Sequence, residues 1–193
     1  GFIMNTYGNA RTRKTQEKLH TALTKILADG TKRLSDITVR ELCDTADVHR
    51  STFYAHFSGV VPFAENVLTE RFAKLNEPIS RSMKFASNAD FEKQLSAHIV
   101  RILGIVRKNR VLCRAYLADP ATRERYAACL DRVDEHLIAS RTYDTEHFTE
   151  SEIRYEFASR HASFCAIVQT WLNRDCAESE ETVARIVVRK LGT

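Results

Sequence analysis

The sequence predicts an all-α protein, and three observations indicate it. The 193 residues include only 6 Gly and 3 Pro, so long stretches contain no helix breaker. Between the breakers, apolar residues recur at intervals of three and four, the spacing of one buried helix face. Hydrophobic residues make up 44% of the chain and charged residues 28%, which is enough for a sizeable core under a charged surface.

The first helix is predicted from about Thr15 to Asp29, where Gly30 follows as the stop signal. Its buried face consists of five apolar residues at helical spacing: Leu19, Ala22, Leu23, Ile26 and Leu27.

Two short helices follow, joined by a turn. Thr38 followed by Glu41 is the capping-box pattern that opens a helix. Asp47 can adopt the left-handed conformation of a tight turn, and the next helix begins near His49. Two helices joined in this way form a helix-turn-helix, whose second helix enters the DNA major groove. The predicted buried face of the first of these helices consists of Val39, Leu42, Cys43 and Ala46.

The fourth helix is expected to start near Pro62, because proline is tolerated in a first turn, and to run to about Asn76. Residues 77–89 are expected to be a connection. Asp119-Pro120 and the Thr149 to Glu152 capping box are further start signals. The later helices are predicted at residues 90–109, 111–118, 120–141, 150–173 and 179–191.

The predicted architecture has two parts. A three-helix head that contains the helix-turn-helix occupies residues 11–60, and a larger C-terminal helical domain occupies residues 61–193. Residues 1–57 carry nine Lys and Arg against six Asp and Glu, whereas the remaining residues carry 20 against 19. The positive charge is therefore concentrated in the head, which mildly favours a nucleic-acid partner.

Several classes of function are not expected. No segment approaches the roughly 18 consecutive apolar residues of a membrane span, and no signal peptide is evident, so a cytoplasmic protein without a membrane partner is expected. The five scattered cysteines predict reduced, mostly buried thiols. The sequence has no metal-ligand spacing, phosphate-binding loop or nucleophile elbow, so no metal, cofactor or catalytic residue is expected and the protein is not expected to be an enzyme.

The segments 37–42, 46–48 and 52–57 resemble the DNA-binding head of the tetracycline-repressor (TetR) family. They combine a Thr-capped helix, a turn, and a third helix that ends in Phe53-Tyr54-Ala55-His56-Phe57. The resemblance implies an all-helical homodimer. Its head binds a palindromic double-stranded DNA operator, and its body dimerises and commonly senses a ligand.

Three residues at the start of the third helix, Arg50, Ser51 and Thr52, are predicted to read base edges. Phe53 and Phe57 are predicted to be core residues. The predicted phosphate contacts are Thr38, Tyr54, His56, Arg11, Arg13 and Lys14, the last three lying before the first helix.

Alternatives remain for three of these contacts. Thr38 could be a helix cap alone, Tyr54 could be a buried strut, and the basic residues near Arg11 could form a solvated tail or reach a minor groove.

The last two helices carry long apolar faces that predict a two-fold, four-helix interface, with intramolecular packing alone as the alternative. The dimerisation residues predicted on these faces are Phe157, His161, Phe164, Val168, Trp171, Val183, Ile186 and Val187.

A small-molecule pocket is predicted among the body helices. Its candidate residues are His98, Arg101, Tyr116, His136 and Tyr155, and the alternative is that each is an ordinary surface or core residue. The predicted function is a sequence-specific DNA-binding repressor controlled by a small-molecule effector. A co-activator or adaptor of the same fold, whose body binds a protein, is the alternative, favoured by the nearly neutral body.

Overall fold

A computed structural model describes residues 10–82, 88–141 and 145–191. The prediction of an all-α fold is confirmed: the ordered elements in these residues are helices, and none is a strand. Their bounds are α1 Ala10–Leu27, a short 3-10 helix Leu34–Asp36, α2 Val39–Ala46, α3 Arg50–Tyr54, α4 Val60–Ser82, α5 Asn88–Lys108, α6 Arg110–Ala118, α7 Pro120–Ala139, α8 Glu150–Asn173 and α9 Glu180–Leu191.

Side-chain caps fix several of these boundaries. The Asp119 carboxylate accepts a hydrogen bond from the Ala121 amide at 3.0 Å, and Pro120 opens α7. At α8 the capping box is complete, because the Glu152 amide donates to Thr149 Oγ1 and the Thr149 amide donates to the Glu152 carboxylate. All five helices from α5 to α9 begin and end within two residues of the predicted positions.

Two predictions about the earlier helices are wrong. α1 begins at Ala10, not near Thr15, because the residues from Ala10 favour a helix and Thr15 Oγ1 donates to the Arg11 carbonyl oxygen within it. α4 continues past Asn76 to Ser82, so residues 77–82 are helical instead of forming a connection. Pro78 removes one backbone donor but does not end the helix, which continues through it to Ser82. Residues 83–87 of the predicted connection lie outside the described residues.

The chain divides into two compact units, residues 1–70 and 71–193. In the first unit α1 packs on α2 and α2 on α3. Leu23, Leu34, Leu42 and Phe63 are among its fully buried side chains. The predicted faces of α1 and α2 are confirmed, with only Ile26 and Val39 half-buried and the other predicted residues buried.

In the second unit α5 packs against α9, α6 against α8, and α8 against α9. Leu103, Leu112, Leu172 and Val187 lie at the centre of this core. The described cysteines are all free thiols, and Cys43, Cys113 and Cys176 are buried, as predicted. No helix in the described residues is long and apolar enough to cross a membrane.

Candidate nucleic-acid interface

α2 begins at Thr38, whose extended backbone (φ −84°, ψ 152°) lets its side chain turn back over the first turn. The Glu41 amide donates to Thr38 Oγ1 at 3.1 Å, so the predicted cap is confirmed. The Glu41 carboxylate pairs with the Lys32 ammonium group, which leaves the capping-box pattern only half used. Thr38 is exposed, and its hydroxyl still carries a proton that could be donated to a phosphate beside the positive end of the helix dipole.

The turn between α2 and α3 depends on Asp47. This residue has φ 53° and ψ 53°, the left-handed conformation that the sequence predicted. The Val48 amide donates to the Cys43 carbonyl at 3.0 Å and closes the end of α2. The chain then leaves in a new direction, and α3 starts after His49.

The three predicted base readers lie together on the exposed side of α3. Arg50, Ser51 and Thr52 form its first turn, and all three are exposed. The Phe53 amide donates to the His49 carbonyl at 3.1 Å, which makes this turn helical. One helical turn thus presents a guanidinium, a hydroxyl and a threonine side chain. The guanidinium can donate hydrogen bonds to guanine, and the threonine methyl group can contact a thymine methyl group.

A cluster of aromatic rings supports this turn from below. Phe53 is 1% exposed, and its ring centroid lies 5.7 Å from that of Phe57 and 6.2 Å from that of Phe63. Phe57 and Phe63 also stack edge to face, with centroids 5.0 Å apart. Phe53 is confirmed as core, whereas Phe57 is half-buried. The fully buried Phe63 was missed, although Val60, Phe63 and Val67 share the helical spacing that could have found it.

Tyr54 and His56 flank this cluster on the solvent side. Tyr54 is 58% exposed, so the alternative of a buried strut is wrong. Its ring meets that of Phe53 edge to face, and His56 is exposed beside Phe57. Both side chains are free to approach a phosphate oxygen.

Arg11, Arg13 and Lys14 are exposed, but they do not precede the first helix as predicted. They lie in the first turns of α1, so they are held on a helix surface and do not form a free tail or arm. These three side chains can therefore contact only the phosphates that lie beside the surface of α1.

The predicted dimerisation residues separate into two groups. Val168, Trp171, Val183 and Val187 are buried within the chain, so they are core residues of the protomer and are not available to a partner. The reason is that α8 and α9 pack on α5 and α6 with the same apolar faces. The residues that retain exposed surface are Phe157, His161 and Phe164, which are half-buried, and Ile186, which is 41% exposed. His161 Nε2 also lies 2.8 Å from the Asp134 carboxylate of α7.

None of the five predicted effector residues lines the cleft that the described residues form at the α7–α8 junction. Tyr155 is 77% exposed, and Arg101 and His136 are exposed as well. Tyr116 is buried with its ring centroid 6.5 Å from that of Tyr126, and burial lowers the pKa of the half-buried His98. A cleft of about 740 Å³ lies at the α7–α8 junction, and its lining includes Glu135, His147, Phe148 and Arg154.

Around Tyr126 the second unit contains a cluster of thiols. Burial raises the pKa of Tyr126, and the neighbouring Cys165 thiol raises it further. Burial also raises the pKa of Cys165 and brings that of Cys113 to about 12. These thiols are therefore held in their protonated, unreactive form.

Three arginines of α5 and α6 have a structural role that the sequence did not reveal. Arg107 donates to the Glu178 carbonyl at 2.7 Å, to the Cys176 carbonyl at 2.9 Å and to the Glu180 carboxylate at 2.6 Å, and its guanidinium lies 5.0 Å from the centre of the Trp171 ring. The other two, Arg110 and Arg114, pair with Asp175. These side chains bind the α8–α9 connection, and that of Arg110 keeps half of its surface exposed.

No protein-family model and no curated protein sequence matches the chain. Solved structures do match it in fold. The dihydroxyacetone kinase operon activator DhaS aligns over 92% of this chain and 93% of its own at 20% identity, with a TM-score of 0.55.

Two further structures are regulators by their descriptions. The fatty acid degradation regulator FadR from Bacillus halodurans aligns over 96% of both chains at 13% identity and a TM-score of 0.64. A Clostridium perfringens protein described as a fatty acid metabolism regulator aligns over 91% of this chain and 97% of its own, at 14% identity and a TM-score of 0.54. The chain therefore shares its all-helical fold with these three proteins along nearly its whole length.

Proposed function

We propose that this protein is a sequence-specific DNA-binding transcriptional regulator of the TetR type, which acts as a homodimeric repressor under the control of a small-molecule effector. The observation that carries the proposal is the exposed first turn of α3, where Arg50, Ser51 and Thr52 stand together over the buried Phe53. The descriptions of the three structural neighbours, one as an operon activator and two as regulators of fatty acid metabolism or degradation, support its coarser part, a transcriptional regulator.

The proposed mechanism separates base reading from positioning. Arg50 donates two hydrogen bonds to guanine N7 and O6, and the Thr52 methyl group contacts a thymine methyl in the major groove. Phosphate oxygens are bound by Thr38 at the start of α2 and by Tyr54 and His56 beyond the readers. DNA binding is assigned to residues 11–60, and dimerisation and effector binding to residues 61–193.

Binding of a labelled duplex from upstream of the protein's own gene tests base reading. We expect Arg50→Ala to weaken binding to this duplex by roughly 5- to 150-fold, which corresponds to about 1–3 kcal/mol. Binding to a scrambled duplex changes much less. Arg33→Ala is the matched control, because Arg33 is an exposed cation of the same unit outside the motif. Equal losses for both variants on both duplexes would count against base reading.

A second copy of the chain is proposed to dock on the exposed parts of α8 and α9, so that two heads bind half-sites about 34 Å apart. Ile186→Asp places a charge in that interface and is expected to convert the dimer to a monomer in sedimentation experiments. Val133→Asp is the control, because Val133 is an α7 side chain of similar exposure outside the predicted surface. A dimer that survives Ile186→Asp would contradict this interface.

The adaptor function is the second candidate, and the nearly neutral body favours it, since the residues after 57 carry 20 Lys and Arg against 19 Asp and Glu. Native mass spectrometry of protein purified from its own host separates the two cases. A bound small molecule that also lowers DNA affinity supports the effector-controlled repressor, whereas a stable complex with a second polypeptide and no small molecule supports the adaptor.

A further inference from the structure

A groove of about 470 Å³ lies between α1 and α2, within the same unit as the candidate base readers. Its floor contains the buried Ala22 and Ala46, whose small side chains leave the space open. The residues that line it are Lys14, Glu17, Lys18, Thr21, Ala22, Lys25, Thr45 and Ala46.

One wall of the groove is basic, because its three lysines outnumber its single carboxylate, Glu17, and leave a net charge of +2. Lys14, Lys18 and Lys25 are exposed and share a face of α1, because they are separated by four and seven residues. Among the described residues, none of these three ammonium groups lies in an ion pair. With five basic residues and one acidic residue, α1 carries a net charge of +4, equal to that of the whole chain.

The dimensions of this wall suit a nucleic-acid backbone. At 1.5 Å per residue, Lys14 and Lys25 are about 16 Å apart along α1, a length that equals roughly five base-pair rises of 3.4 Å for a helix lying along the duplex axis. The other wall, at Thr45, is five residues from Arg50, so it lies within about 18 Å of the base readers. Thr38 immediately precedes α2 and Thr45 is its last but one residue, so the two threonines lie at opposite ends of this helix.

We propose that the α1–α2 groove binds the phosphate backbone of double-stranded DNA outside the base pairs that α3 reads. This inference rests on the proposed function and deepens it, since it predicts that the protein needs a duplex longer than the half-sites themselves. DNA is favoured over an acidic protein segment because the floor offers only two alanines, whereas a docked peptide helix needs pockets for apolar anchors. Lysine is suited to the task because it binds phosphate as a flexible point charge.

The experiment compares the double variant Lys18→Gln/Lys25→Gln with the wild-type chain on two duplexes. One duplex ends at the outer edges of the half-sites, and the other continues for ten base pairs on each side. The control is Lys108→Gln/Lys190→Gln, which removes the same charge from exposed positions of the second unit. Affinity is measured between 50 and 200 mM salt.

On the long duplex we expect the double variant to reduce the slope of log K against log salt by about 1.8, that is, about 0.9 for each lost phosphate contact, and to weaken binding by on the order of tenfold or more at 0.1 M salt. On the short duplex it should behave like the control. If the lysine double variant and the control variant show the same salt slope on the long duplex, the groove proposal is overturned. The proposed function still stands in that case if Arg50→Ala removes the preference for the operator. If the wild-type chain prefers no duplex and Arg50→Ala changes nothing, the proposed function itself fails.

Discussion

The ring of Phe53 provides the most direct link between the core of the first unit and its candidate DNA surface. α3 has only five residues, too few to be stable as an isolated helix, so packing must hold it in place. Phe53 is 1% exposed and contacts the rings of Phe57 and Phe63. Replacing it therefore removes the support of Arg50, Ser51 and Thr52 without touching them.

We expect Phe53→Ala to lower the free energy of unfolding by about 3–5 kcal/mol, the usual range for a buried aromatic side chain. A unit of about 60 residues is stable by roughly 3–9 kcal/mol in total, so this change alone could unfold it. Phe53→Leu keeps part of the packing and is expected to lose only about 1–1.5 kcal/mol. Tyr54→Ala is the matched control, because the neighbouring ring is 58% exposed, and its loss should stay below about 1 kcal/mol.

Urea unfolding followed by circular dichroism measures these differences, and hydrogen exchange with mass spectrometry locates them. For Phe53→Ala, faster exchange is expected in α2 and α3 while the amides of α8 and α9 remain protected. Equal unfolding midpoints for Phe53→Ala and Tyr54→Ala would refute the view that α3 is held by its buried ring.

Three further predictions concern other parts of the chain. Arg107→Met should lower the free energy of unfolding of the second unit by about 2–3 kcal/mol, because the carbonyls of Cys176 and Glu178 lose a charged donor. Trp171 fluorescence follows the unfolding transition. A similar loss of stability for the exposed Arg185→Met would contradict this role of Arg107. The hydrogen bond from Arg107 lowers the pKa of Glu180 below its usual 4.5, so this carboxylate contributes stability above that pH and loses it as the pH falls. The wild-type chain should therefore lose more stability than Glu180→Gln between about pH 5 and 3 in acid titrations, and parallel curves would exclude the contribution. Asp47→Val should lower the free energy of unfolding by about 1–2 kcal/mol, because valine is strained in the left-handed conformation, and the melting temperature should fall with it. Asp47→Gly should change the free energy of unfolding by less than about 1 kcal/mol. A lower melting temperature for the glycine variant than for the valine variant would show that this turn is not left-handed.

Local chemistry made much of the fold predictable. The caps at Thr38, Asp119 and Thr149 are each formed by a side chain and an amide two or three residues away, so the sequence alone determines them. The left-handed turn at Asp47 is likewise determined by the local sequence. The candidate readers on α3 could be located for this reason, since their positions follow from the cap and the turn before them.

Signals that depend on distant residues could not be recognised. Arg107 is bound to Glu180, 73 residues further along the chain, and nothing near either residue indicates the pair. The apolar faces of α8 and α9 could not be assigned to a partner for a related reason. Periodicity predicts that a helix face is buried, but it does not indicate whether the same chain or a second copy covers that face. Val168 and Trp171 are covered by the chain's own helices, whereas Ile186 on the same pair of helices is 41% exposed.

The start of α1 shows a different limit. Its first residues are polar and basic, so they add nothing to a buried stripe, and periodicity placed the start near Thr15. Helix propensity and the bond from Thr15 to the Arg11 carbonyl extend it to Ala10. This difference moves Lys14 from a tail onto the wall of the α1–α2 groove.

Selection of bound duplexes from a random-sequence library tests the central claim most directly. If α3 reads DNA as a dimer, the wild-type chain should enrich an inverted repeat whose half-sites are centred about 34 Å apart, with a guanine in each half. Arg50→Ala should lose the preference at that guanine and keep the remaining positions. Enrichment of no sequence by the wild-type chain, or an identical motif for both proteins, would contradict the assignment of Arg50, Ser51 and Thr52 as the residues that read DNA.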